Sequence, residues 1–114
     1  MAERAMNQSP AIWWSAAFSA QQAVEKAIKG LLEWVEIAFP RTHDVAALID
    51  LYPAFRNDAA FEDAALLSQW AVLGRYPGPH DDPGETEARR LVALAADMIR
   101  FVRLEAEKQG LRSE

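Results

Sequence analysis

The chain has 114 residues, a mass of 12.7 kDa, a formal net charge of −5 and no cysteine. Its size is that of one domain with a modest core, predicted over residues 1–114. The acidic balance excludes capture of nucleic acid by the charge of the whole protein, so any such contact must be local. The lack of cysteine excludes a disulfide framework and thiolate metal sites, and it is the usage expected of a cytoplasmic protein.

The first predicted helix begins at Pro10, because Ser9 can cap it and proline suits the first helical position. Its apolar residues recur with a period of about 3.6 residues as far as Phe39, and Pro40 ends it. Gly30 lies inside this helix, where glycine costs about 1 kcal/mol relative to alanine. Either close packing against another helix or a functional role would explain that glycine.

Two further helices are predicted in the middle of the chain. The first is short, with Thr42 as its expected N-cap and Asp44 complementing the helix dipole. The next is capped by Asn57 or Asp58 and carries an apolar pattern as far as Gly74.

The last helix is predicted to begin near Glu85, after an irregular stretch over residues 75–84 that is rich in proline and glycine, and to end at Gly110. The four main helices predict an all-α, up-and-down four-helix bundle, in which the first and last helices lie antiparallel. The apolar run at residues 11–20 is short and has no basic leader, so neither a membrane span nor a signal peptide is expected.

Polar side chains on the first helix are the strongest candidates for a binding site. Gln22, Lys26, Lys29 and Glu33 follow one another at spacings of four, three and four residues, which places them along one side of the helix. Lys26 and Lys29 could bind phosphate while Gln22 contacts a base or a sugar. Alternatively, the lysines form a solvated face that is paired with Glu25 and Glu33.

Three short segments together resemble the HEPN domain family. They are Gln-Gln-Ala-Val-Glu-Lys-Ala-Ile-Lys-Gly-Leu-Leu at residues 21–32, Thr-His-Asp-Val at residues 42–45 and Arg-Tyr-Pro at residues 75–77. HEPN domains are small helical domains of bacteria and archaea. The resemblance implies a helical homodimer that binds nucleotide or RNA and is paired with a minimal nucleotidyltransferase, in many cases as toxin and antitoxin.

The chain departs from the family pattern at its start. Members of the family usually carry a full helix ahead of the helix that contains Gln-Gln-Ala, whereas only residues 1–8 precede that helix here. A short or truncated first helix is therefore expected. Apolar surface near Trp13, Trp14 and Phe18 would then need cover, for which a partner subunit is the obvious source.

Some members of the family are metal-independent ribonucleases that use an R-x4-6-H motif across the dimer, and Arg75 and His80 fit its spacing. Histidine can move the proton of a 2′-hydroxyl while arginine holds the phosphate. The Tyr-Pro-Gly-Pro spacer predicts a loop, however, whereas the ribonucleases carry the motif on a helix. The chain is thus either a ribonuclease with Arg75 and His80 as catalytic residues, or a protein in which His80 is an ordinary loop residue.

The other histidine, His43, follows the expected cap Thr42. It either has a structural role in the turn, or joins Gln22, Lys26, Lys29 and Arg75 in a nucleotide-binding pocket. Two histidines without cysteine predict no metal site, and no cofactor is implied. The expected function is nucleotide or RNA binding beside a partner nucleotidyltransferase; the alternatives are the endoribonuclease and a non-catalytic protein-interaction module.

Overall fold

The computed structural model describes residues 10–63, 67 and 84–111. Every element within these residues is helical and none is a strand, which confirms the all-α prediction. Most of the third predicted helix lies outside the described residues, so the count of four main helices stays a prediction. The elements are α1 (Pro10–Trp34), α2 (Val45–Ile49), two 3₁₀ helices (Pro53–Asn57 and Ala59–Asp63) and α3 (Gly84–Lys108).

The two long helices run parallel to each other, and the antiparallel prediction is wrong. Near their N-terminal ends, the guanidinium carbon of Arg89 lies 5.7 Å from the centre of the Trp13 ring. Near their C-terminal ends, the Trp34 indole Nε1 donates to the carbonyl oxygen of Gln109 at 3.0 Å. Short loops force consecutive helices into opposite directions, but the long segment between α1 and α3 can bring the chain back to the end where α1 began.

Helix α1 ends at Trp34 rather than at the predicted Phe39. The backbone of Glu36 adopts a left-handed conformation with φ of 63°, and the Ile37 N–H donates to the Leu32 carbonyl at 2.8 Å. This bond from the second residue after the cap is that of a Schellman motif, which terminates a helix. Ile37 packs against the core beyond that end, so its apolar character continued the pattern without continuing the helix.

The same motif ends α3, and here the prediction is confirmed. Gly110 has φ of 96°, and the Leu111 N–H donates to the Ala106 carbonyl at 2.9 Å. Glycine adopts this left-handed conformation without the steric cost that a side chain brings.

Aspartates rather than threonine cap the short elements. The Asp44 carboxylate accepts from the Ala46 N–H at 3.0 Å, and this identifies Asp44 as the N-cap of α2. The predicted cap, Thr42, instead accepts from the Asp44 N–H at 3.0 Å and shapes the turn one step earlier. Of the two predicted caps of the next element, Asp58 accepts from the Ala60 N–H at 2.9 Å.

The core lies where α1 packs on α3, with α2 and the 3₁₀ helices against the pair. Phe55 is fully buried and its ring contacts three other aromatic rings, at centroid distances of 4.7 to 5.8 Å. Such apolar burial, at roughly 25 cal/mol per Å², is the main stabilisation available to a domain of this size. The largest fully buried apolar side chains are those of Phe55, Ile28, Leu32, Leu48, Leu67, Leu91, Met98, Val24 and Val45.

The large exposed apolar side chains are not the ones that the sequence analysis predicts. Trp13, Trp14 and Phe18 are all half-buried, and the rings of Trp14 and Phe18 stack at 5.5 Å. The large apolar side chains that the described part of the chain exposes are those of Trp34, Val92, Leu104 and Leu111. Whether a partner subunit covers Trp13, Trp14 and Phe18 stays a prediction.

Candidate functional site

A buried carboxylate on α1 is the centre of the candidate site. Glu25 is only 4% exposed, and it shares one face of the helix with Gln21 one turn before and Lys29 one turn after. The Gln21 Nε2 donates to Glu25 Oε1 at 3.0 Å, and the Lys29 Nζ donates to Glu25 Oε2 at 2.8 Å. Each oxygen of the carboxylate therefore has a partner from its own helix.

His43 joins this group from the segment that leads into α2. Its ring Nδ1 lies 2.9 Å from Glu25 Oε2, the same oxygen that contacts Lys29. The Gln21 Nε2 also donates to the carbonyl oxygen of His43 at 3.0 Å. Because Asp44 caps α2 directly after His43, the backbone at His43 is held both by the helix that follows and by Gln21.

The electrostatics of the group keep Glu25 ionised. Burial alone would raise the pKa of the Glu25 carboxyl, but hydrogen bonds from Lys29, Gln21 and His43, with the charge of Lys29, outweigh burial and hold the pKa below its usual 4.5. An ionised carboxylate only accepts hydrogen bonds, so His43 Nδ1 must carry the donated proton. This leaves Nε2 of the ring as an acceptor in the neutral form and as a donor in the charged form.

The arrangement presents two donors to solvent in front of one buried acceptor. The His43 side chain is 70% exposed and that of Lys29 is 24% exposed, whereas that of Glu25 is 5% exposed. An imidazole and an ammonium that share a carboxylate oxygen are held close together at the surface. Chemically, the pair can bind an anionic oxygen, and the imidazole can give up or take a proton.

The predicted binding residues do not stay together as one stripe. Lys29 and His43 meet at Glu25. Gln22 is half-buried and makes no hydrogen bond to the described part of the chain. Lys26 instead lines a groove between α1 and α3 together with Glu33.

Arg75 and His80 lie outside the described residues. The contact expected between Arg75 and the binding residues, and the catalytic pairing of Arg75 with His80, therefore both stay predictions.

Gln21 and Glu25 are the residues that sequence reasoning undervalued. Gln21 is fully buried, and its Oε1 has no hydrogen-bond partner in the described structure. The signal was present in the sequence, because Gln21 and Glu25 interrupt the apolar face that Val24 and Ile28 continue. Polar residues within a buried stripe need partners, and that requirement pointed to a network with a second element.

Two further features are absent from the described residues. No helix there is both long enough and apolar enough to span a membrane. No group of three or more histidine, aspartate or glutamate side chains there is placed to hold a metal ion.

Comparisons with known proteins give one match. The family model for the HEPN domain matches residues 1–107, a range that includes all three segments on which the resemblance was based and every residue of the Glu25 group. No curated protein and no solved structure matches the chain. Because the family model covers nearly the whole sequence, the chain belongs to the HEPN domain family.

Proposed function

We propose that this protein is a homodimeric HEPN protein that binds the phosphate of a nucleotide or of an RNA end at Lys29 and His43. It would act with a partner nucleotidyltransferase in a toxin–antitoxin-like system. The observation that carries the binding proposal is the shared carboxylate, since Lys29 Nζ and His43 Nδ1 both contact Glu25 Oε2, at 2.8 and 2.9 Å.

The charges of the group suit a phosphate. With His43 protonated, two cations stand beside the single carboxylate of Glu25, which leaves a net positive charge at the surface. The Lys29 ammonium has two further N–H bonds to donate, and the charged imidazole has its Nε2–H. Hydrogen bonds between such cations and phosphate oxygens are about twice as strong as those between neutral groups.

The buried part of the group reduces the cost of binding. Gln21 and Glu25 fix the positions of His43 and Lys29 before a ligand arrives, so fewer rotamers remain to be ordered on binding. Gln22, adjacent to Gln21 on α1, would contact the base or the sugar. Arg75 would add a guanidinium to the same phosphate.

The binding proposal is tested by titration with AMP, with ATP and with a short RNA that carries a 3′-phosphate, followed by calorimetry. We expect His43→Ala and Lys29→Met each to weaken binding by about tenfold or more, since a charge-assisted hydrogen bond is worth about 1.5–3 kcal/mol. Arg56→Met is the matched control. Arg56 is an exposed cation whose only ion pair among the described residues is with Asp50 at 3.5 Å, and its loss should leave affinity unchanged.

Two results would contradict the proposal. One is the absence of heat and of thermal stabilisation with all three ligands at millimolar concentration. The other is equal weakening by His43→Ala and Arg56→Met, which would show only a general effect of charge.

The alternative function is the metal-independent endoribonuclease with Arg75 and His80 as its catalytic residues. RNA cleavage that is lost in His80→Ala and retained in His43→Ala would support this alternative. If neither RNA cleavage nor nucleotide binding is found, the remaining alternative is a non-catalytic protein-interaction module.

A further inference from the structure

A groove between α1 and α3, near the C-terminal ends of both helices, lies apart from the Glu25 group. Its volume is about 550 Å³ and its floor is apolar, with contributions from Leu31 and Val102. Trp34 forms part of its wall and is 47% exposed. Because the Trp34 indole donates to the Gln109 carbonyl, the ring is held in place and the groove does not depend on an unanchored side chain.

Gly30 lies in the middle of this groove and leaves room for a second helix to approach closely. A Cβ atom built at Gly30 would meet no described atom within 4 Å, so the expected packing of Gly30 against another helix is not found in the described residues. The glycine still costs about 1 kcal/mol relative to alanine inside a helix. What it offers in return is bare backbone, which a second helix can approach more closely than it could a side chain.

The charges of the groove are divided along its length. Lys26 and Arg103 line its N-terminal half, and Glu33 and Glu107 line its C-terminal half. None of the four forms an ion pair with a described residue. Since the helices run parallel, with Trp34 level with Gln109, each half of the groove carries charge of one sign.

We propose that this groove is the surface on which a second copy of the chain docks, antiparallel to the first, about a twofold axis level with Gly30. The proposal names the interface of the homodimer and rests on the dimer of the proposed function. The axis sets Lys26 of each copy against Glu33 of the other. In the register of the two helices it also sets Arg103 against Glu107.

Charge complementarity is the reason to choose a second copy over another partner. Reversing the direction of the groove brings its positive half onto a negative half, which is the requirement of a twofold interface that uses the same surface on both subunits. The two glycines then meet near the crossing point, and the exposed Trp34 rings cover the apolar floor. Aromatic side chains are enriched at the centre of such interfaces.

The first test measures molecular mass by sedimentation and light scattering over a range of protein concentrations. We expect the natural chain to be a dimer and Gly30→Gln to shift the dimer dissociation constant upwards by about tenfold or more, because the new side chain blocks the approach at the axis. The subunit should stay folded, since glutamine favours helix over glycine. Ala23→Gln is the matched control, because Ala23 is exposed on α1 outside the groove.

The second test uses the charges. Lys26→Glu and Glu33→Lys should each weaken the dimer, and the chain with both changes should regain it. An equimolar mixture of the two single variants should form a heterodimer, because positions 26 and 33 are then both acidic in one subunit and both basic in the other. A groove for an unrelated partner would show no such rescue.

The results separate failure of this inference from failure of the proposed function. A natural chain that is monomeric throughout, or a dimer that is unaffected by Gly30→Gln and by the charge changes, overturns the docking surface. Nucleotide titration of Gly30→Gln tests the Glu25 group independently, because neither Lys29 nor His43 lines the groove and both are held by Glu25. Binding to that variant would uphold the nucleotide site whatever the mass measurements show.

Discussion

Two buried glutamates hold the region around α2, one on each side of it, and they differ in their hydrogen-bond partners. Glu25 on α1 contacts His43, which precedes α2. Glu105 on α3 is 7% exposed and accepts from the Tyr52 hydroxyl, which follows α2, at 2.9 Å. The Gln109 Nε2 donates to the same hydroxyl at 3.2 Å.

The partners decide what each carboxylate can do beyond holding the fold. At Glu25, two of the donors are cationic or can become so, and both reach solvent. At Glu105, the shorter bond comes from a neutral phenol whose residue is 8% exposed, while the exposed Lys108 is 3.4 Å away. The first arrangement can meet a ligand, whereas the second mainly ties α3 to the 3₁₀ region.

The largest expected effect comes from removing the centre of the first group. Glu25→Ala should lower the free energy of unfolding by about 3 kcal/mol, because the buried Gln21 amide loses one acceptor and His43 and Lys29 lose their shared partner. Urea unfolding followed by circular dichroism measures it. Glu62→Ala, at an exposed glutamate, should stay within about 0.5 kcal/mol of the natural chain, and an equal loss there would remove any special role for Glu25.

Tyr52→Phe sharpens the comparison by acting on the second group alone. We expect a loss of about 2 kcal/mol, the value of a hydrogen bond to a charged acceptor, since among the described residues Glu105 would retain only the Lys108 Nζ at 3.4 Å. The same variant should bind nucleotide as the natural chain does. A parallel fall in affinity would show that the two groups are not separate.

The smallest effect is a difference in pH dependence. The pKa of Glu25 is lowered below 4.5, so its contribution is complete above pH 4.5 and is lost as the pH falls through the folded-state pKa. Burial and the bond to Glu105 raise the pKa of Tyr52 above 10.0, so its contribution is present below pH 10.0 and is lost as the pH rises through the folded-state pKa.

Variants can assign the acid loss of stability to Glu25 and the alkaline loss to Tyr52. Glu25→Gln should flatten the acid limb of the stability curve and leave the alkaline limb, while Tyr52→Phe should do the reverse. Unfolding free energies measured across the pH range give both limbs, and variants that alter the same limb would contradict the assignment.

The sequence predicted features that depend on local chemistry. The helix stop at Gly110 was readable because a left-handed backbone favours glycine. The end of α1 before Glu36 could not be predicted in this way, because glutamate adopts the left-handed conformation there and glutamate is not a residue typical of helix ends. The capping region before α2 was found, but Asp44 and Thr42 differ by two positions, and both can cap.

The candidate site, too, could be predicted from the sequence only in part. Lys29 and His43 were chosen from the sequence, and the structure brings them together through Glu25. The separation of Lys26 from Lys29 depends on which neighbour packs against each side of α1, and helical spacing alone does not contain that information. The parallel course of α1 and α3 also could not be predicted from the sequence, because it depends on the path of the chain between the two helices.

That parallel course has a consequence for how the chain becomes folded during translation. The Trp34 bond joins residues 75 positions apart, and contacts between the helices elsewhere close loops of similar size, so few of them can form before most of the polypeptide exists. On the ribosome, the apolar face of α1 must wait until residues 84–108 have been synthesised. We therefore expect nascent chains that stall before that point to be captured by chaperones or to aggregate.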